Sequence, residues 1–179
     1  MQACFLFILC TCSLQAQVFT SATGKVSFYS TARIENIEAT SNKAGVVVNT
    51  TTNELMFKVA ITSFVFKNGL MQEHFNENYL ESDTYPTAQF NGKVNGKITY
   101  NIVGDYPVTV VGTLTIHGIA VARTITGILK VTSTGIVLMA DFMVPVSAHK
   151  IKIPNDKISN IAQDIKVSVY AECKPYVKK

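Results

Sequence analysis

The three histidines are the first candidates for chemistry in this chain, since histidine serves both as a metal ligand and as a general base. His74 and Glu77 are three residues apart, a spacing that puts both side chains on one face of a helix. His117 falls on the polar side of a strand pattern, and His149 lies in an irregular stretch. No HExxH-type spacing occurs. We therefore expect no metal and no cofactor, and interpret the histidines as solvated or turn-stabilising.

The sequence also lacks the motifs of nucleophilic and nucleotide chemistry. It contains no GxSxG, no GxGxxG and no Walker motif. Cys173 lies on the apolar side of the last strand pattern, where a cysteine is usually an inert small hydrophobe. We therefore expect a protein that is not an enzyme.

Arg123 is the one charge that shares the inward register of apolar neighbours, among them Val121 and Ile125. A charge in that register needs a partner or water. Two interpretations stay open. Arg123 either reaches solvent near a strand end, or it caps the polar head of a ligand at the mouth of a barrel. Asp141 is a candidate partner by composition only.

The elements that must position these residues are strands, because apolar residues alternate with polar ones along most of the chain. The strand patterns cover residues 18–31, 44–50, 54–62, 87–94, 106–117, 119–131, 136–144 and 164–173. Each has one apolar face, as an antiparallel sheet with a single buried side requires. A sheet of eight or more strands closes or folds over to remove its edges. The pattern predicts a mainly β protein with an antiparallel barrel.

Two connections carry local signals. The Asn-Gly pair at 95–96 is typical of a two-residue type I′ hairpin, which predicts a return strand over 98–102 with Ile98, Tyr100 and Ile102 facing inward. The polar stretch 33–42 is expected to be irregular, with room for one helical turn.

One stretch has helical rather than strand periodicity. Met71, Phe75 and Tyr79 recur at every fourth residue, with acidic and amide side chains between them. This spacing predicts one short amphipathic helix over about residues 68–81, which must pack on an apolar surface. Pro86 cannot continue the helix.

Composition and the first residues indicate one exported domain. Of the 179 residues 47% are hydrophobic and 16% charged, which is enough for one domain with a proper core. The charge of +4 has no basic cluster except at the last two residues, so no nucleic-acid partner is expected. Residues 1–16 resemble a secretory signal peptide, with an apolar run too short for a stable membrane span. A buried N-terminal strand and a lipoprotein cysteine at Cys12 are the alternatives.

Two segments carry a family resemblance. The segment LMQEHFNENYLESDTYPTAQF contains a helix-bearing stretch, then Tyr85 and Pro86, then a strand with Phe90 and Gly92. The segment GTLTIHG at 112–118 is similar to a late strand of the same family. Over residues 17–179 the chain resembles the YceI-like family of lipocalin-like, polyisoprenoid-binding proteins.

The resemblance implies a periplasmic or secreted protein that holds an elongated apolar ligand, an isoprenoid lipid or a quinone-like molecule, in a lipocalin-like barrel. The inward register and the helix stripe then give the expected ligand-binding residues: Phe28, Phe57, Val59, Met71, Phe75, Tyr79, Phe90, Tyr100, Leu114, Arg123 and Phe142. The alternative is a filled barrel that acts as an envelope interaction or stress-related module without a small ligand. Whether the chain forms a homodimer stays open.

Overall fold

In the computed structural model, which describes residues 18–31, 36–153 and 162–177, nine strands join one antiparallel sheet. They are β1 (Val18–Ser30), β2 (Ile37–Asn49), β3 (Glu54–Ala60), β4 (Val65–Phe66), β5 (Thr87–Asn95), β6 (Gly104–Ile116), β7 (Ile119–Val131), β8 (Ile136–Pro145) and β9 (Asp164–Pro175). Eight of them close into a ring, because β1 pairs with β2 as well as with β9. The two-residue strand β4 adds to β2 outside the ring. The predicted antiparallel barrel is confirmed.

Side chains alternate across the wall as the sequence pattern requires. On β7, Ile125, Leu129 and Val131 are buried, whereas Thr126 and Lys130 between them are exposed. The same alternation on the neighbouring strands gives a continuous apolar core inside the barrel. The hydrophobic effect therefore fixes the register of every strand, because a slip by one residue would turn its apolar face to water.

The predicted helix is present in two parts. The α-helix α1 (Gly69–His74) continues directly into a π-helical turn, Phe75–Tyr79. Asn68 caps its start, since the side-chain oxygen accepts a hydrogen bond of 2.9 Å from the backbone N–H of Leu70. We call residues 68–80 the cap. No helix in the described residues is long and apolar enough to cross a bilayer.

The hairpin predicted at residues 95–96 is wrong. Strand β5 ends at Asn95, which pairs with Thr109 of β6, so residues 96–103 form a longer connection and no strand covers 98–102. The hydroxyl of Tyr106 holds this connection by donating to the carbonyl oxygens of Thr99, at 3.1 Å, and Ile102, at 2.9 Å. Tertiary hydrogen bonds outweigh the local turn preference here.

Strand β2 begins earlier than the sequence pattern predicted. It starts at Ile37 rather than at residue 44, so residues 37–42 are not a helical turn. Its inward positions there carry Ala39 and Ser41, both buried. The hydroxyl of Ser41 forms a 2.6 Å hydrogen bond with the hydroxyl of Ser63. Small and polar inward residues hid the alternation.

The barrel wall is incomplete between β7 and β8. These strands pair only from Ile128 opposite Met139 to Val131 opposite Ile136. Gly127 is the first residue of β7 past the ladder, and a Cβ atom on it would lie 2.5 Å from the carbonyl oxygen of Met139, so the two backbones are still close there. Beyond this point residues 119–127 and 140–145 face each other with no ladder, and we call this opening the split. A 3₁₀ turn, Val146–His149, packs against β7 at its far end.

Candidate functional site: an apolar cavity in the barrel

A cavity of about 490 Å³ lies inside the barrel and is lined almost entirely by apolar side chains. Nine of the eleven residues predicted to bind a ligand line it. These are Phe28, Phe57, Val59, Met71, Phe75, Tyr79, Phe90, Leu114 and Phe142. Their role in ligand binding stays a prediction, but the strand register and the helix stripe do bring them to one space.

The cap closes one side of this cavity through Phe75. Its ring lies 5.3 Å from that of Phe28, 5.7 Å from that of Phe64 and 5.0 Å from that of Phe66, measured between ring centroids. Aromatic pairs at such separations add to the burial of their apolar area. Four rings from β1, the segment before the cap and the cap itself therefore form one aromatic cluster over the cavity.

Sequence reasoning missed two members of this cluster, Phe64 and Phe66. Both are buried and both line the cavity. Their spacing of two, with the exposed Val65 between them, is a strand pattern too short to stand out from the residues around it. Phe66 reaches the cavity because β4 pairs with β2, where Phe66 lies opposite Ala39.

Tyr100 is one of the two predicted binding residues that the structure does not place on the cavity. It lies in the connection between β5 and β6, where its hydroxyl donates a 3.2 Å hydrogen bond to the side-chain oxygen of Asn53. Burial raises the pKa of Tyr100 above its ordinary value of 10.0. The register assigned to it depended on the return strand that does not form.

Arg123 is the second predicted binding residue that does not line the cavity, and it lies in the split. It pairs across from Gly112 in the inward register, and its guanidinium crosses the opening to donate a hydrogen bond to the backbone carbonyl of Met143 on β8. Asp141 is not its partner: the two form no ion pair, and the Asp141 carboxylate accepts a hydrogen bond from the hydroxyl of Ser168. Arg123 is half-buried, and its charged group is bound to a neutral oxygen.

The sequence model of the YceI-like domain matches residues 15–173. The chain belongs to that family. No curated protein matches it in sequence.

Solved structures similar to this YceI-like chain have the same fold. A polyisoprenoid binding domain from Saccharophagus degradans, implicated in plant cell wall breakdown, superposes with a TM-score of 0.76 at 14% identity, over 90% of this chain and all of that one. BcnA of Burkholderia cenocepacia gives 0.69 at 18% identity, over 83% and 95%. The YceI protein of Campylobacter jejuni gives 0.59 at 18%, over 75% and 81%. These identities support a common barrel and no more.

Two of the three histidines of this YceI-like domain, His117 and His149, form hydrogen bonds between loops. His117, at the turn from β6 to β7, places Nε2 at 2.5 Å from the carboxylate of Glu81, just after the cap. Its Nδ1 lies 3.3 Å from the carbonyl of His149, and the ring of Tyr85 packs against it with centroids 4.5 Å apart. The turn-stabilising interpretation therefore describes His117. No three metal-ligating side chains converge within the described part of the chain.

His149 is fully buried beside the split. Its Nδ1 lies 3.0 Å from the carbonyl oxygen of Ile119, so this nitrogen carries the proton and donates. Burial is the main cause that lowers the pKa of His149, and the positive charge of Arg123 lowers it further. A neutral imidazole therefore fills the end of the split, as a structural side chain.

Cys173 is buried on β9, and burial raises its pKa to about 12. A thiol with such a pKa forms almost no thiolate near neutral pH, so it is a poor nucleophile. This agrees with the interpretation of Cys173 as a small hydrophobe.

Proposed function

We propose that this YceI-like domain binds a lipid and holds an elongated apolar ligand, an isoprenoid or a molecule with an isoprenoid tail such as a quinone, inside its barrel. The observation that carries the proposal is the cavity of about 490 Å³ with its almost wholly apolar lining. Apolar side chains offer water no hydrogen bonds. Burial of an apolar tail in this cavity is therefore favourable by roughly 25 cal/mol for each Å² of apolar surface removed from water.

We propose that the cap covers one end of the ligand. Phe75 rests on Phe28 and Phe66 without a covalent or ionic tie to them, so the aromatic cluster separates the cavity from solvent by packing alone. Met71 and Tyr79 of the cap line the same space. A long ligand would therefore contact strand side chains along its length and cap side chains at one end.

The likeness to a polyisoprenoid binding domain from Saccharophagus degradans supports the isoprenoid class of ligand. The cavity of about 490 Å³ favours this proposal over the alternative of a filled barrel. We propose a role as a carrier rather than an enzyme, which agrees with the buried, protonated state of the Cys173 thiol.

Export to the periplasm or the medium belongs to the same proposal. Residues 1–17 lie outside the described residues, so the support is the apolar leader in the sequence. Expression of the full chain in a secreting bacterium, followed by N-terminal sequencing of the recovered protein, tests it. A mature start near Gln17 supports export, and a protein that keeps Met1 in the cytoplasm contradicts it.

The test of ligand binding is extraction and reloading. Protein purified without denaturant is extracted with organic solvent, the extract is analysed by mass spectrometry, and the emptied protein is titrated with geranylgeraniol. We expect a co-purifying prenyl lipid or quinone, and saturable uptake. An empty extract together with no uptake would overturn the proposal.

A pair of matched variants separates the cavity from the outer wall. Ala140→Phe places a ring in the cavity, whereas Ala122→Phe places the same ring on the exposed face of β7. We expect Ala140→Phe to lower the amount of bound geranylgeraniol at least about tenfold, because the ring occupies the ligand's volume. Ala122→Phe should bind like the wild type; equal loss in both variants would contradict a ligand inside the barrel.

A further inference from the structure

The split lies where the barrel wall has no ladder, and cavity-lining residues stand on both sides of it. Ile125 and Gly127 on one side of it, and Phe142 and Val144 on the other, line the cavity. On the outer side the Met143 side chain is 47% exposed. A ladder would close this space with backbone hydrogen bonds, but none joins β7 to β8 beyond Ile128 within the described residues.

Arg123 lies across this opening, and no carboxylate among the described residues forms an ion pair with it. The ion pairs of the described residues are Lys67 with Glu38, His117 with Glu81, and Lys130 with Asp105. The guanidinium of Arg123 instead donates to the neutral carbonyl of Met143. A half-buried charge without a counter-ion is costly, and an anion that approaches it removes the cost.

The groups next to Arg123 do not provide that anion. The nearby imidazole of His149 is buried and hydrogen-bonded to the carbonyl of Ile119. Burial, and after it the positive charge of Arg123, lower the pKa of His149, so this imidazole supplies no negative charge. Asp141 is bound to Ser168.

The guanidinium has the geometry for an oxyanion. It carries five N–H donors in a planar fork, which matches phosphate and carboxylate oxygens in bidentate pairs. One donor serves the Met143 carbonyl, which leaves other N–H groups of the same guanidinium for a second acceptor. An amphiphile fits this arrangement, because its tail enters the apolar cavity while its head stays partly in water at the split.

We propose that the split between β7 and β8 binds the anionic head of an amphiphilic lipid, a phosphate or a carboxylate, on the guanidinium of Arg123. This rests on the proposed function, since the tail of the same molecule occupies the cavity. It narrows the ligand class from any apolar chain to a chain with an oxyanion at one end. Arg123 thereby determines specificity for the head and leaves affinity for the tail unchanged.

The test compares two ligands that share a tail and differ in the head, geranylgeranyl phosphate and geranylgeraniol, by calorimetric titration. We expect the wild type to bind the phosphate more tightly. Arg123→Met keeps the length of the side chain and removes the charge; it should weaken phosphate binding by about 10- to 100-fold, as for a lost charged hydrogen bond. Binding of the alcohol should stay within about twofold, which also shows that the variant is folded.

Two further variants and one further ligand complete the design. Arg123→Lys should keep part of the preference, because it keeps the charge without the fork. Lys58→Met removes a positive charge from the exposed face of β3 and should change neither constant. Oleate in place of geranylgeranyl phosphate tests whether a carboxylate serves as well as a phosphate. If Arg123→Met weakens the binding of both, the site accepts oxyanions in general. If it weakens the binding of only one, the site is specific for that head group.

The outcomes separate this inference from the proposed function. Tight binding of both lipids with the same constants in Arg123→Met overturns the head site while the cavity keeps its role. Failure of the wild type to bind either lipid overturns the proposed function, and the head site with it.

Discussion

The ring of Phe75 stacks on the ring of Phe28, with centroids 5.3 Å apart and planes inclined by 23°. Phe28 belongs to β1 and Phe75 to the π-helical turn of the cap, so this contact joins the cap to the barrel wall. A π-helical turn adds a residue to a helical turn, and such turns often occur at functional sites. The contact makes the cap a wall of the cavity.

Phe75→Asp should detach the cap. A carboxylate among Phe28, Phe64 and Phe66 has no polar partner there, so we expect the free energy of unfolding to fall by about 2–4 kcal/mol. Affinity for geranylgeraniol should fall at least about tenfold, because the cavity then opens to water. Urea denaturation and fluorescence competition measure the two effects. Asn78→Asp adds the same charge on the exposed side of the cap as a control, and unchanged affinity in Phe75→Asp would show that the cap is no part of the binding site.

Gly112→Ala should destabilise the barrel where β5 and β6 approach each other. The added Cβ atom would lie 2.2 Å from the carbonyl oxygen of Asn91 and 2.5 Å from the Cα atom of Gly92, and backbone cannot move aside cheaply. We expect a loss of about 1–3 kcal/mol in urea denaturation. Gly45→Ala is the matched control, because its Cβ atom would meet nothing closer than 3.9 Å. Equal stability of the two variants would contradict the close approach.

His149 should make the barrel less stable in mild acid. Its pKa is lowered in the folded state, mainly by burial, so below its ordinary pKa of 6.5 the unfolded chain binds a proton that the folded chain does not. Its contribution to stability is therefore complete above about pH 6.5 and is lost as the pH falls from there towards the folded pKa.

The measurement is urea denaturation at several pH values between neutral and mildly acidic. His149→Asn keeps an N–H donor for the carbonyl of Ile119 and removes the titration. We expect a smaller decrease of stability with falling pH in this variant than in the wild type. His74→Gln removes a histidine from the cap and should keep the wild-type slope; a wild-type slope in His149→Asn would show that His149 does not titrate on unfolding.

Cys173 should resist thiol reagents while the protein is folded. Its pKa of about 12 leaves almost no thiolate at pH 8, and the side chain is buried. In a chain whose Cys4, Cys10 and Cys12 are replaced by serine, the rate of reaction with Ellman's reagent should rise by several orders of magnitude on addition of guanidinium chloride. Rapid labelling of the folded protein would disprove the burial of β9 at this point.

Alternation of apolar and polar residues was sufficient to predict the barrel, because one buried face per strand leaves few alternatives. It also brought nine binding candidates to one cavity, among them Phe57 and Leu114. The approach was wrong where local and distant interactions compete. The turn preference of the Asn-Gly pair at 95–96 lost to hydrogen bonds from Tyr106, and Tyr100 moved out of the cavity with it.

The split was beyond sequence reasoning for a different reason. Residues 119–127 and 136–144 have the same alternation whether or not they pair with each other, since alternation reports which face is buried and carries no information on which neighbour is bonded. Arg123 stood out only as a charge in the inward register. That signal identified an unusual residue, but its actual partner, the Met143 carbonyl, is a backbone atom that every residue type provides.

Ring closure through β1 and β9 also sets the order in which the protein can finish folding. Phe19 pairs with Pro175 and Tyr29 with Lys166. One edge of β1 therefore stays unpaired until β9, the last strand, has formed. Contacts this distant in sequence slow folding, because a long loop must close before they form. Until β9 arrives, β1 and β8 both present open edges to other chains. The barrel is therefore most exposed to aggregation late in folding, when seven of its eight ring strands are already in place.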